Sequence, residues 1–302
     1  MRRRGEACLR REDLPGGSVR EHASAPRRDS GPATTLRGRK GPVRGRVPRA
    51  GILSNPAVRE YLSPKAAAWR IEESPRVMKP MNEEHYAILR RHMVEVIAIH
   101  VDLASEELGK AALDERVMAA MRRVPRHHFV PAQLAPYAYQ DMPLPIGFDK
   151  TISQPFIVAL MTDLLGPRRH ESVLEIGTGL GYQAAILAEL AGRVRSVEIV
   201  EEFAAQAEAR LRRLGHADVD IRVGDGSRGW AEHAPFDKIL VTAAAERTPP
   251  ALIEQLKPGG RIVLPVGPAE AQRLTVVEKD ADGAVESRVL IPVRFGQLET
   301  AI

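Results

Sequence analysis

The segment Ser172-Val173-Leu174-Glu175-Ile176-Gly177-Thr178-Gly179-Leu180-Gly181 holds the residue types best suited to chemistry. An apolar run carries an acid near its end. Three glycines at alternate positions come next, and then an alanine-rich stretch begins at Tyr182. Glycines so spaced let the backbone approach a nucleotide-like ligand where a strand meets a helix, and they remove side chains from the ligand's place. Glu198 ends a second apolar run about twenty residues after the turn, where a carboxylate can accept hydrogen bonds from both hydroxyls of a ribose. Asp225 and Gly226 come after a third run over residues 219–223. Each feature alone is an ordinary turn or a solvated strand end. In order at three successive strand ends, they point to one nucleotide-like site.

The glycine spacing separates two cofactor classes. Dinucleotide turns read Gly-x-Gly-x-x-Gly. Here the third glycine comes one residue early and an acid precedes the first. That pattern resembles motif I of the S-adenosylmethionine-dependent methyltransferases. The resemblance implies S-adenosyl-L-methionine as methyl donor, with the carboxylate of Asp225 meeting the adenine amino group, whose hydrogens suit an acceptor.

The elements that must position these residues alternate in type. Strands are expected at residues 172–176, 194–199, 219–223, 261–266, 273–279 and 287–295. A helix over residues 201–214 puts Phe203, Ala207, Leu211 and Leu214 on one side and ends at Gly215. Pro249 suits a helix start, with Gly259-Gly260 after its end. Upstream, Asn82 can cap a helix carrying Ile88, Met93, Ile97 and Val101 on its buried face. A second helix begins after Asp114 and stops at Pro125, with Val117, Ala120, Met121 and Val124 together. Pro143, Pro145, Gly147 and Pro155 speak against regular structure before Thr151. The run after Pro155, with Ile157, Leu160, Met161 and Leu164, reads as an amphipathic helix that Ser153 would cap. Alternation of this kind implies an α/β three-layer sandwich on a mostly parallel sheet, closed by an antiparallel hairpin around Asp280-Ala281-Asp282-Gly283.

Charge divides the chain. Residues 1–80 hold 19 Lys+Arg against 8 Asp+Glu, a net +11; residues 81–302 hold 25 against 31, a net −6. The basic part is rich in Arg, Gly, Pro and Ser, without periodicity, and reads as a largely disordered extension before a methyltransferase domain over residues 81–302. Nucleic acid is therefore not an expected partner, unless through that tail. No apolar run is long enough to span a bilayer. Cys8, the single cysteine, excludes an internal disulfide and a cysteine-based zinc site, so a reducing compartment, the cytoplasm, is expected, with no metal.

Met121-Arg122-Arg123-Val124-Pro125-Arg126-His127-His128-Phe129-Val130-Pro131 and Thr151-Ile152-Ser153-Gln154-Pro155 resemble the protein-L-isoaspartate O-methyltransferase family. Asp237-Lys238-Ile239-Leu240-Val241-Thr242-Ala243-Ala244-Ala245 continues the likeness, as does the run from Leu256 to Gly267. It spans about residues 105–299. The resemblance implies a Rossmann-like class I methyltransferase fold that repairs aged proteins by methylating the free carboxylate of L-isoaspartyl residues. It places Ser153 at the active site, Gly177, Thr178, Gly179, Glu198, Asp225 and Gly226 around the cofactor, and Ile152, Ser153 and Val266 near the peptide. Isoaspartyl peptides and proteins are the implied partners, with no membrane, and a monomer is expected. One departure stands out. Family members commonly end Val-Arg-Phe-Val-Pro-Leu, where this chain has Val293-Arg294-Phe295-Gly296-Gln297-Leu298. Two other readings stay open: a methyltransferase of this fold for RNA or a small molecule, and a non-catalytic peptide-binding scaffold.

Overall fold

The computed structural model describes residues 81–300. The basic extension expected over residues 1–80 lies outside the described residues. Nine strands are described: β1 (Leu144–Gly147), β2 (Lys150–Ile152), β3 (Ser172–Ile176), β4 (Arg193–Glu198), β5 (Asp220–Val223), β6 (Phe236–Val241), β7 (Leu256–Val266), β8 (Gln272–Lys279) and β9 (Val285–Val293). β1 and β2 form a small antiparallel pair. The other seven make one sheet in the order β5-β4-β3-β6-β7-β8-β9, parallel from β5 to β7 and antiparallel after it. β3 is an inner strand, and the chain winds first to one side of it and then to the other. A ligand site is expected beyond the carboxyl ends of the strands at such a switch point.

Both faces of the sheet are apolar, as central parallel strands require. Along β3, Val173 faces one core cluster while Leu174 and Ile176 face another. The first cluster takes in the helices α1 (Glu83–Leu103), α3 (Glu115–Arg123), α4 (Pro155–Leu165), α5 (Tyr182–Ala188) and α6 (Glu201–Arg213). A single helical turn, α2 (Ser105–Leu108), comes after α1. The second face is covered more thinly, by Leu252 of α7 (Pro250–Glu254), Trp230 and Leu298.

Asn82 caps α1 as expected, with its side chain accepting from the His85 N–H at 3.0 Å. Asp114 caps α3 by accepting from the Arg116 N–H at 2.8 Å. Four expectations need correction. Ile88 is 50% exposed, and Val94 joins Met93, Ile97 and Val101 on the buried face of α1. Helix α4 is buried nearly all round rather than amphipathic, because other helices cover the side the sheet leaves open. Gly259-Gly260 lie within β7, since α7 is too short to reach them. Regular structure also precedes Thr151. Leu144 and Ile146 are buried and Pro145 exposed, and each strand of a two-stranded ribbon has an unpaired edge, where proline is tolerated. Phe148 and Asp149 turn it with φ of 50° and 55°, as a tight hairpin demands.

After the β8–β9 hairpin the chain returns to the sheet's centre. The Gln272 amide donates to the Phe295 carbonyl at 2.9 Å and accepts from the Phe295 N–H at 2.6 Å. The Ala244 N–H then donates to the Gly296 carbonyl at 2.8 Å, and the Leu298 N–H to the Ala244 carbonyl at 2.7 Å. Gly296 is thus held through its carbonyl, by a backbone bond that any residue could make, while the Gln297 side-chain amide lies within hydrogen-bond reach of Ala244, Ala269 and Gln272. A Cβ at position 296 would meet nothing within 4 Å, and Gly296 does not have positive φ. Gly296→Val is therefore expected to stabilise the protein by about 0.4–1 kcal/mol, by reducing the freedom of the unfolded chain. Urea denaturation checks this; a lower midpoint would mean that the segment needs the glycine.

Candidate functional site

The glycine turn leaves β3 and enters α5. Gly177 has φ of +91°, and a Cβ there would lie 2.3 Å from the Thr242 hydroxyl, so no side chain fits. That hydroxyl donates to the Gly177 carbonyl at 2.7 Å and lies 3.0 Å from the Ile176 carbonyl. Gly179, with φ of +54°, faces open space instead: its Cβ would touch only Ile146 Cδ1, at 3.4 Å. The space is a narrow cleft of about 50 Å³, lined by Ile152, Ser153, Gly177, Thr178 and Gly179 among the expected residues. Ile146, Thr151, Tyr182, Gln183 and Thr242 are among its other walls. Thr242 could have been found from its place at the end of β6, beside the switch point. Tyr182 and Gln183 come directly after the last glycine.

The three acids do different work. Glu198 ends β4, and its carboxylate accepts from the Gly179 N–H at 2.7 Å and the Val200 N–H at 2.9 Å. It therefore braces the turn from beside the cleft. Asp225 lies just past β5 and caps a short 3₁₀ turn, accepting from the Ser227 N–H at 2.9 Å and the Ser227 hydroxyl at 2.7 Å. Gly226 lies against Ile176, where a Cβ would come within 2.2 Å of Cγ2. Glu175 is fully buried beneath the turn. It accepts from the Ser196 hydroxyl, which lies 2.5 Å from the Thr178 hydroxyl. Burial pushes the Glu175 carboxyl up to about 8, with the nearby Glu198 acting in the same direction. Val266, half-buried at the end of β7, bridges to Ala245. Glu198, Asp225, Gly226 and Val266 thus surround the cleft at neighbouring strand ends rather than lining it.

Ser153 is not the helix cap. Helix α4 starts at Pro155, Gln154 occupies the capping position, and no side chain of the local segment caps it. Asp141, distant in sequence, does this instead: its carboxylate accepts from the Phe156 N–H at 2.7 Å and from the Gln154 amide at 2.9 Å. The His100 ring lies 2.6 Å from the same carboxylate, and that hydrogen bond raises the His100 pKa. Ser153 is left half-buried on the cleft wall.

His127 and His128 stand apart from the cleft. The His127 ring stacks on Tyr86 with centroids 3.9 Å apart, its Nδ1 lies 2.8 Å from the Tyr139 hydroxyl, and its Nε2 lies 3.0 Å from Glu83. Burial lowers the pKa of both histidines. Glu83, His127 and His128 bring their ligating atoms within 4.8 Å of one another. Both His127 nitrogens are already engaged, however, so the cluster reads as a tie between α1 and the turn after α3. A wider hollow of about 600 Å³ opens beside it, lined by Tyr86, Arg210 and Arg213 among others. It carries none of the glycine-turn residues, so the narrower cleft is the better candidate despite its size.

A family model described as protein-L-isoaspartate(D-aspartate) O-methyltransferase matches residues 102–300. The chain is 59% identical over 221 residues to a protein-L-isoaspartate O-methyltransferase 1 of a Polaromonas species, covering 73% of this chain and 94% of that protein. It is 55% identical over 214 residues to a protein-L-isoaspartate O-methyltransferase 2 of Syntrophobacter fumaroxidans, covering 70% and 87%. A solved protein-L-isoaspartate O-methyltransferase superposes with a TM-score of 0.59 at 27% identity, over 69% of this chain and 65% of that one. A Plasmodium falciparum structure, described as a putative enzyme of this kind in complex with S-adenosyl-L-homocysteine, shares the fold with a TM-score of 0.58 at 20% identity, over 72% and 99%.

The raised Glu175 pKa has a definite sign in stability. As pH rises from the ordinary 4.5 towards about 8, the unfolded chain gives up this proton while the folded chain keeps it. Folding therefore weakens across that window and levels off above it. Glu175→Gln should remove this part of the pH dependence. Denaturation midpoints between about pH 5 and pH 8 test it; an equal fall in the variant would place the effect elsewhere.

Proposed function

Because the chain belongs to the protein-L-isoaspartate(D-aspartate) O-methyltransferase family, we propose that its cleft is where a methyl group passes from S-adenosyl-L-methionine to an L-isoaspartyl carboxylate. The protein is an S-adenosylmethionine-dependent repair methyltransferase. In this reading Gly177, Thr178, Gly179, Glu198, Asp225 and Gly226 hold the cofactor. Ser153 orients the carboxylate, and Ile152 and Val266 touch the peptide. One observation supports this most: the Thr151-Ile152-Ser153 segment and the glycine turn line the same cleft. The two motifs are the separate halves of a transfer site, one for acceptor and one for donor. Isoaspartyl-containing proteins are the partners. No helix among the described residues is long and apolar enough to cross a membrane. We assign the protein to the cytoplasm, with the single Cys8 in support.

The residues present fit such a cofactor. Gly179 leaves a cradle that a Cβ would begin to fill. Glu198 and Asp225 offer acceptors at adjacent strand ends, the right chemistry for ribose hydroxyls and an exocyclic amine. S-adenosyl-L-methionine supplies a methyl group on a sulfonium, which is already a good leaving group. The acceptor carboxylate is ionised at neutral pH, so no side chain has to remove a proton. What remains for the protein is to hold two reactants in line and to exclude water. The Ser153 hydroxyl can donate a hydrogen bond to one carboxylate oxygen and leave the other to react. Asp141 relieves it of helix capping, so the hydroxyl is available for that role.

The purified protein should methylate an isoaspartyl peptide and leave its aspartyl counterpart almost untouched. Equal transfer to both peptides, or transfer only to RNA or a small molecule, would overturn the substrate assignment. Ser153→Gly should lower kcat/KM for isoaspartyl peptide by about tenfold, the usual order for one positioned hydrogen bond. Affinity for S-adenosyl-L-methionine should change little, as should stability, because no cap is lost. Full turnover in that variant would remove Ser153 from the chemistry.

A further inference from the structure

Arg126 is fully buried, an unusual place for a permanent charge. Its Nε donates to the Ala138 carbonyl at 2.8 Å, and its Nη2 donates to the Ser153 carbonyl at 2.8 Å. The guanidinium also sits over the Tyr182 ring, 4.9 Å from the centroid. Its third nitrogen, Nη1, is buried without a partner among the described residues. Burial lowers its pKa to about 10, which still leaves it charged at neutral pH. Tyr182, the Asp141 carboxylate and Tyr139 act on it electrostatically and favour its charged form. A buried charge with one nitrogen left without a partner is a poor device for stability.

What it touches suggests its purpose. Ser153 and Tyr182 both line the cleft, along with the glycine turn. Arg126 stands behind both. Asp141 holds Gln154 through its side-chain amide and Phe156, in the first turn of α4, through its N–H. Residues 153, 154 and 156 are thus each fixed from the buried side, in a segment where helix α4 has no cap of its own. A loop ending in Pro155 has a restrained backbone, but three external bonds decide where it lies against the glycine turn.

We propose that Arg126 is a positioning residue for methyl transfer, fixing the Ser153 carbonyl so that the serine side chain is presented to the substrate carboxylate. Asp141 supports it by holding Gln154 and Phe156. The inference rests on the assignment of Ser153 made above. In-line displacement is sensitive to small misplacements, so loosening this hold should slow transfer while leaving the cofactor's residues as they are.

A double-mutant cycle separates this role from simple structural support. Arg126→Lys keeps the charge but cannot bond both Ala138 and Ser153 through a planar fork. It should lower kcat/KM for isoaspartyl peptide about tenfold or more, with less than a twofold change in the dissociation constant of S-adenosyl-L-methionine. Combined with Ser153→Gly, it should lower activity little beyond Ser153→Gly alone, because the two residues act as one unit. Full activity of Arg126→Lys, or losses that simply multiply in the double variant, overturns the inference and leaves the Ser153 assignment standing. Full activity of Ser153→Gly by itself overturns both. Should Arg126→Lys not fold, Asp141→Asn enters the same cycle, with the same non-additivity expected and the same multiplying losses against it.

Discussion

Any side chain at Gly177 would lie against the Thr242 hydroxyl, 2.3 Å from where its Cβ must be. That close approach governs the rest of the cleft. It draws the first residue after β3 against the first residue after β6, where the Thr242 hydroxyl also engages the Gly177 carbonyl. With the turn so fixed, the Gly179 N–H points at Glu198 and the Gly179 Cα faces the cavity. The carboxyl ends of β3, β4 and β6 thereby become one surface instead of three frayed strand ends.

Under that surface, two carboxyl groups on adjacent strands are kept apart in character. Glu198 is satisfied by backbone N–H groups at the edge of the cleft. Glu175 lies in the core, where burial favours its neutral form. Two negative charges so near each other in a poorly polarisable interior would repel, and giving one a proton removes the conflict. The hydroxyls of Ser196 and Thr178 join the buried group to the turn above it. The acid before the glycines is thus part of the turn's foundation, while the acid on the next strand braces the turn from beside the cleft.

Much of this was legible in the chain. Helix and strand periods, caps at Asn82 and Asp114, and the order of glycines and acids depend on neighbours a few residues apart. Features that could not be read depend on distant ones. Ser153 looks like a cap because an apolar helical run begins just beyond it. Asp141, a dozen residues earlier and across a hairpin, does the capping. The hairpin was itself hidden, since Pro145 is excluded from a strand only when its missing N–H would have had a partner. Arg126 follows the proline that stops a helix, and nothing local says that its side chain goes inward. The convergence of Ser153, Gly179 and Thr242 is likewise a property of strand order, which sequence periodicity does not determine.

The pairing of Gly296 and Leu298 with Ala244 has a bearing on how the molecule assembles. Between them in sequence lie α7 and the whole β7-β8-β9 meander, so this contact closes one of the longest loops in the sheet. Closing a long loop is entropically costly until the intervening strands have shortened it. The local helices and the β3–β4 unit can form early; the segment that seats Leu298 near Gly226 must wait for the antiparallel strands. Loop-closure entropy thus favours late completion of this part of the cleft's surround, which depends on strands far along the chain.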